Sequence, residues 1–179
     1  MKEIYERRSI RSYTNKDVSD ELVSKVIDAA RVAPSGSNNQ PWRFIVVRDE
    51  VKRAQISKVC ENQEWMNQAP VHIVCIAEGA SRGINDDILF DEQTNGLDAK
   101  RLIRDTSIGI THLILEAQHL GLGTCWIAWF DEIDIKTVMN LPQNTYVVGV
   151  ITLGYATNKV KARNRKELSE IMFFEEYNK

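Results

Sequence analysis

Three arginines and a hydroxyl fall within five residues near one end of the chain, in Arg7, Arg8, Ser9 and Arg11, and a second basic group, Arg163, Arg165 and Lys166, lies near the other. A guanidinium suits phosphate oxygens because its planar fork donates two parallel charge-assisted hydrogen bonds. Closing on one anion, the two clusters would make a phosphate site; apart, each is a solvated basic patch. Between them, "RVAPSGSNNQPWRF" from Arg31 to Phe44 offers hydroxyls, amides and backbone groups without a carboxylate. Pro34 and Pro41 stiffen it. Such a loop suits a flat heterocycle with polar edges and a polyol chain, and it also suits a plain helix-to-strand connection.

The chain carries no motif for a glycine-cradled phosphate, a metal or an acyl-transfer nucleophile. There is no G-x-x-x-x-G-K-[ST] stretch and no strand followed by G-x-G-x-x-G, so any phosphate must be held by side chains. "GLG" at Gly121 to Gly123 falls between helix and strand, where glycine ends helices. His112, Glu116 and His119 could share a helix face, but the histidines lack the spacing of H-E-x-x-H and a further ligand set, so no metal is expected. Ser9, Ser35 and Ser37 have no G-x-S-x-G context. Hard chemistry without a catalytic side chain belongs to a bound cofactor whose position the protein controls.

The elements that must position these groups come from the pattern of apolar residues. Leu22, Val23, Val26, Ile27 and Ala30 predict an amphipathic helix over 19–33, capped by Ser19. "RFIVV", "VHIVCIA", "TCWIAWF" and "TYVVGVITLGY" read as strands, with helices starting near Asp49, within "EIDIKTVMNL", and over "DTSIGITHLILEAQHLGLG". The last carries apolar residues on nearly every side, which predicts an interior helix. Residues 79–100 are polar and irregular, a surface excursion that could serve as a lid. The C-terminal "IMFF" is too apolar for a free tail.

The composition, 179 residues with 43% apolar and 27% charged, matches one soluble globular domain. With 23 basic and 25 acidic residues, nothing points to nucleic acid as partner. The start lacks a signal-peptide core, and no stretch approaches the ~18 apolar residues of a membrane span. A cytoplasmic protein with no membrane partner is expected, with Cys60, Cys75 and Cys125 as buried reduced thiols.

In this order, "RRSIR", the amphipathic helix, "APSGSNNQPWRF", "APVHIVC", the helix from "DTSIGI", "GLGTCWIAWF" and "ARNRKELSEI" resemble the FMN-dependent nitroreductase family over nearly the whole chain, apart from 79–100. The resemblance implies an α+β fold with a central, mostly antiparallel sheet wrapped by helices. It implies one domain over 1–179 and an intertwined homodimer, with FMN at the subunit interface and residues 160–179 packed on the partner. By resemblance, Arg7 with one or both of Arg163 and Arg165 holds the FMN phosphate, with Arg8 and Ser9 beside them. Arg11 approaches the pyrimidine edge, where a fixed cation favours the negative charge of the reduced ring. Pro34, Ser35 and Gly36 come from the opposite subunit, while Asn38 and Gln40 organise their loop. Asn62 reads the isoalloxazine edge, and Ile127 and the backbone at Ala128 face flavin N5. Ala128 and Trp129 stand where related sequences often carry glycines, which leaves the Trp129 ring either lining a substrate pocket or filling core.

The reaction the resemblance implies is ping-pong. NAD(P)H passes hydride to flavin N5 and leaves, and a small electron-poor acceptor such as a nitroaromatic or quinone takes its place. Orientation and electrostatics supply the rate, with no catalytic side chain. Two other readings remain open: a specialised enzyme of the same fold, for reductive dehalogenation or flavin modification, and a non-catalytic flavin-binding redox module.

Overall fold

Runs rich in β-branched residues form a four-stranded sheet in the order β1-β2-β4-β3, with β1 at Trp42–Val47, β2 at Val71–Glu78, β3 at Gly123–Ile127 and β4 at Thr145–Gly154. Every pairing is antiparallel. The computed structural model describes residues 2–177 apart from 86, 92 and 95; these three positions of the expected excursion and 178–179 of the C-terminal segment lie outside the described residues. The inner strands β2 and β4 are covered on both faces, so their sequences run apolar without the alternation of a half-exposed strand. Successive side chains of β2 still separate by face. Val71, Ile73, Cys75 and Ala77 enter one core with α2 (Asp20–Arg31) and α4 (Leu97–His119). Val74 and Ile76 enter a second core with α3 (Glu50–Val59) and α5 (Glu132–Met139).

The helix starts follow their caps. Ser19 accepts from the Leu22 N–H and opens α2, and Asp49 accepts from the Lys52 N–H and opens α3. α4 begins at Leu97, well before the expected start at Asp105, because Gly96 at its N-cap supplies no side-chain hydrogen bond to mark the boundary. α4 is not an interior helix in the protomer: Leu102, Ile110 and Leu113 are fully buried, but Ile108 is 39% exposed and Thr111 also faces outward.

The excursion starts with a 3-10 turn, Gly79–Arg82, and is pinned midway by Phe90, which is fully buried between Tyr146 and the α2/α4 core. The Phe90 N–H donates to the Gln143 carbonyl, and Lys136 Nζ donates to the Phe90 and Gln143 carbonyls. Lys136 is paired with buried Glu132 at 3.5 Å, and Glu132 accepts from the Val147 N–H. This network fastens α5 to β4 and to the excursion. By contrast, residues 156–177 are exposed throughout, so the apolar C-terminal segment does not pack on its own protomer. All three cysteines are free and buried, and burial pushes the Cys60 thiol up to about 12.

His72 on β2 is fully buried, with Nε2 against the Met66 carbonyl at 2.9 Å. Burial lowers its pKa from 6.5 to about 4, opposed by the bond to Met66. Between pH 6.5 and 4 the unfolded chain binds this proton and the folded chain does not, so the protein loses stability as pH falls, by ~1.4 kcal/mol per unit from this residue. Urea unfolding across that range is expected to show the slope in the wild type and its loss in His72→Gln. A difference between the two proteins that does not change with pH would refute the assignment.

Candidate functional site

A short helix, α1 (Lys2–Glu6), closes with the Arg7 N–H donating to the Glu3 carbonyl, and from there the chain passes along the outer edge of β3. Ser9 bridges Thr124 in parallel, and the Ile10 N–H donates to the Thr124 carbonyl at 2.8 Å. The approach depends on Gly123, where a Cβ would stand 2.7 Å from Ile10 Cγ1. Extended backbone sends alternate side chains to opposite faces. Ile10 packs with Tyr13 and Ala69, whereas Arg7, Ser9 and Arg11 all act on Cys125 of β3. Burial raises that thiol's pKa, and Arg11, a Ser9 hydrogen bond and Arg7 in turn oppose the rise. Arg8 does not share the face of Arg7. Its guanidinium donates to the carbonyls of Tyr5 and Arg7, and it lines a different cleft with Lys159.

Arg7 and Ser9 wall a cleft of about 460 Å³ with Thr124, Cys125 and Trp126 of β3 and Thr111 and Ile114 of α4. The Trp126 ring is held by an Nε1–H bond to the Val148 carbonyl at 3.3 Å. Arg11 sits 5.7 Å over the Trp65 ring centroid. Among the described residues neither Arg7 nor Arg11 has a carboxylate partner. Three other clefts are larger, about 570 Å³ beside Arg8, about 670 Å³ between α3 and α5 and about 590 Å³ between α2 and α4, but Glu6 lines the first, Glu61 and Asp134 the second, and Glu21, Asp28 and Glu116 the third. The cleft of Arg7 has no carboxylate in its wall, so it presents uncompensated positive charge to an anion.

At the end of β3, Ile127 is buried and Ala128 is exposed. Trp129 is 71% exposed, so its ring does not fill the core of the protomer. Asp131 follows and caps α5 by accepting from the Ile133 and Asp134 N–H groups.

The Pro34 to Pro41 loop is ordered by its own polar groups. Ser35 Oγ accepts from the Gln40 N–H, and Gln40 Nε2 donates to the Asn38 carbonyl. Ser37, Asn38 and Gln40 all take positive φ, between 50° and 55°, a conformation that costs residues with a Cβ and persists where surrounding bonds enforce it. Among the described residues no hydrogen bond or ion pair joins this loop to Arg7, Ser9 or Arg11 of the same protomer. Asn62 also stands apart, exposed at the mouth of the cleft between α3 and α5. Arg163 and Arg165 lie on the exposed C-terminal segment.

Sequence reasoning missed Trp65 under Arg11 and the α4 wall at Thr111 and Ile114. The helical spacing of Thr111, Ile114 and Leu115 was legible, but it does not say which neighbour the face meets.

Residues 4–155 match the sequence model of the nitroreductase family. A Bacillus subtilis protein named FMN reductase [NAD(P)H] is 29% identical over 171 residues, covering 92% of this chain and 69% of its own length. Iodotyrosine deiodinase 1 of Sus scrofa is 28% identical over 187 residues, covering 93% of this chain and 65% of its own. Among solved structures, NfrA2 of B. megaterium superposes with a TM-score of 0.89 at 29% identity, over 99% of this chain and 74% of that one.

Proposed function

Since the chain belongs to the nitroreductase family, we propose that it is an NAD(P)H-dependent oxidoreductase that holds FMN against the Arg7, Ser9 and Arg11 face and reduces a small electron-poor acceptor. One observation carries the reading: two guanidiniums without a carboxylate partner among the described residues lie on either side of a hydroxyl that walls, with Arg7, a cleft lined by no carboxylate. Arg7 and Arg11 lie on either side of the Ser9 bridge to Thr124, an arrangement suited to a ligand with an anionic group at one end and an electron-rich ring at the other. That donor set fits FMN. Bound FMN supplies hydride acceptance from the nicotinamide and its delivery to the acceptor.

The chain's own residues bind and orient. Arg7 and Ser9 would hold the phosphate, with Arg163 and Arg165 brought in from the C-terminal segment. Arg11, steadied by the Trp65 ring, would keep positive charge at the pyrimidine edge and so favour the anionic reduced ring. The backbone at Ile127 and Ala128 is the edge offered to N5, and Asn62 the amide offered to the ring. The exposed Leu168, Ile171, Phe174 and Tyr177 of the C-terminal segment support a homodimer, since a second subunit would cover them and bring Pro34, Ser35 and Gly36 to the partner's arginine face. Purified protein is expected to be a dimer and yellow, and its visible flavin band is expected to bleach under anaerobic NADH or NADPH. Colourless protein that takes up no added FMN would refute the reading; bound flavin that NAD(P)H leaves oxidised would favour a non-catalytic module.

A second reading, reductive dehalogenation of a halogenated aromatic, is favoured by the match to the deiodinase. Turnover of a halophenol with negligible nitro or quinone reduction would select it. Trp129 bears on the acceptor in either case. Because its ring is exposed, Trp129→Ala is expected to change urea stability by less than about 0.5 kcal/mol. Loss of an aromatic wall of ~0.5–1.5 kcal/mol would raise the acceptor KM by ~2- to 10-fold. An unchanged KM would remove Trp129 from the pocket.

A further inference from the structure

Gly36 is gripped at both of its backbone groups by two side chains distant in sequence. Its N–H donates to Asp105 Oδ2 of α4 at 3.1 Å, and its carbonyl accepts from Arg82 Nη2 at 3.2 Å. The two side chains are mostly covered, 16% exposed for Arg82 and 14% for Asp105, and stand 3.9 Å from each other. A Cβ on Gly36 would come within 3.1 Å of Arg82 Nη2 and 3.5 Å of Asp105 Oδ2, so glycine is what allows the clamp to close this tightly. Three residues on, Asn39 Nδ2 donates to the Ser81 carbonyl at 2.6 Å, a second tie to the same 3-10 turn.

An ion pair of this kind is a poor source of stability, since desolvation offsets much of its attraction. Arg82 Nε is buried and finds no partner among the described residues, which makes the pair costlier still. What it does supply is geometry. The residues directly after Gly36 include Ser37, Asn38 and Gln40 in the left-handed region, and the clamp adds a hold from outside to the bonds the loop makes within itself.

We propose that Arg82 and Asp105 are positioning residues for the cofactor loop: they hold the Ser35–Gly36 edge where it can meet FMN, and they make the first turn of the excursion part of the cofactor site. The proposal rests on the flavin reading above. It assigns the segment that begins at Gly79 a role at the cofactor, through Arg82 and Ser81, in addition to any part in covering substrate.

The test compares Asp105→Ala with Asp105→Asn in the full-length protein. Asparagine can still accept from the Gly36 N–H; alanine cannot. Two quantities are read: hydrogen exchange at the Gly36 amide in protein without flavin, and the rate of FMN release from the holoprotein after dilution. Asp105→Ala is expected to speed both by roughly tenfold or more, as for a lost hydrogen bond to a charged acceptor, and Asp105→Asn to restore both to within a few-fold of wild type. Arg82→Leu, which frees the Gly36 carbonyl and removes the cation paired with Asp105 and Asp98 while leaving the Asp105 bond to the Gly36 N–H, replaces Asp105→Ala should that variant not fold, and it is expected to speed FMN release likewise. Faster Gly36 exchange with unchanged FMN release overturns the positioning role and leaves the flavin reading standing. Equal impairment in the alanine and asparagine variants also overturns it, by pointing to stability alone. Wild-type protein that binds no FMN overturns both.

Discussion

Replacing Arg7 and Arg11 together with alanine is expected to weaken FMN binding on the order of a thousandfold. Each guanidinium offers a charge-assisted hydrogen bond worth ~1.5–3 kcal/mol, and every 1.4 kcal/mol is about a factor of ten in affinity. Neither side chain has a carboxylate to return to among the described residues, so little of that energy is being used within the protomer. For the same reason, urea stability should move by less than about 1 kcal/mol, the loss of the Arg11 contact with the Trp65 ring included. Fluorescence titration of the apoprotein with FMN measures the first quantity and urea unfolding the second. Arg8→Ala is the internal control: it lies in the same basic run, but its guanidinium is bonded to the Tyr5 and Arg7 carbonyls, so FMN affinity should change little. If Arg8→Ala and Arg7→Ala weakened FMN equally, the assignment of one face of the segment to the cofactor would fail.

Phe90→Ala is expected to destabilise the fold by ~3–5 kcal/mol, the cost of deleting a buried aromatic ring. The ring is fully buried, 5.2 Å from that of Tyr146, in the core shared by α2, α4 and the sheet. The loss should show twice. Urea unfolding should shift by that amount, and trypsin should cut after Arg82 more readily, because the excursion is fastened to the body through Phe90 and the carbonyls that Lys136 holds. A small shift in stability with unchanged cutting would mean that Phe90 is not the anchor of this segment.

Phe90 also shows where reading the sequence reaches its limit. A single aromatic in "NDDILFDEQTNG" has no periodicity around it, so the segment reads as surface although its middle residue is core. The strands were legible for the opposite reason: β2 and β4 are inner strands with both faces covered, and a continuous apolar run is the direct imprint of that burial. α2 was legible because Ser19, the acidic first turn and the apolar stripe all agree. The start of α4 was not, since Gly96 caps it without a side chain. Its apolar breadth predicted burial on all sides, yet the protomer leaves Ile108 and Thr111 open.

By itself the sequence determined the four strands and the helices α2 to α5, the absence of a glycine phosphate loop, the family resemblance, and the residue types available for an anion and a polar heterocycle. These follow from local chemistry and from ordered motifs, which one dimension records. Only the tertiary structure decided which of the arginines act together. Ser9 pairs with Thr124 at the edge of β3 and walls one cleft with Arg7, Arg11 stands over the Trp65 ring, and Arg8 turns back to the Tyr5 and Arg7 carbonyls beside a different cleft. Only the tertiary structure, likewise, brought Arg82 and Asp105 to the two sides of one glycine peptide, because contacts across 46 and 69 residues depend on how helix, turn and loop pack and leave no pattern along the chain.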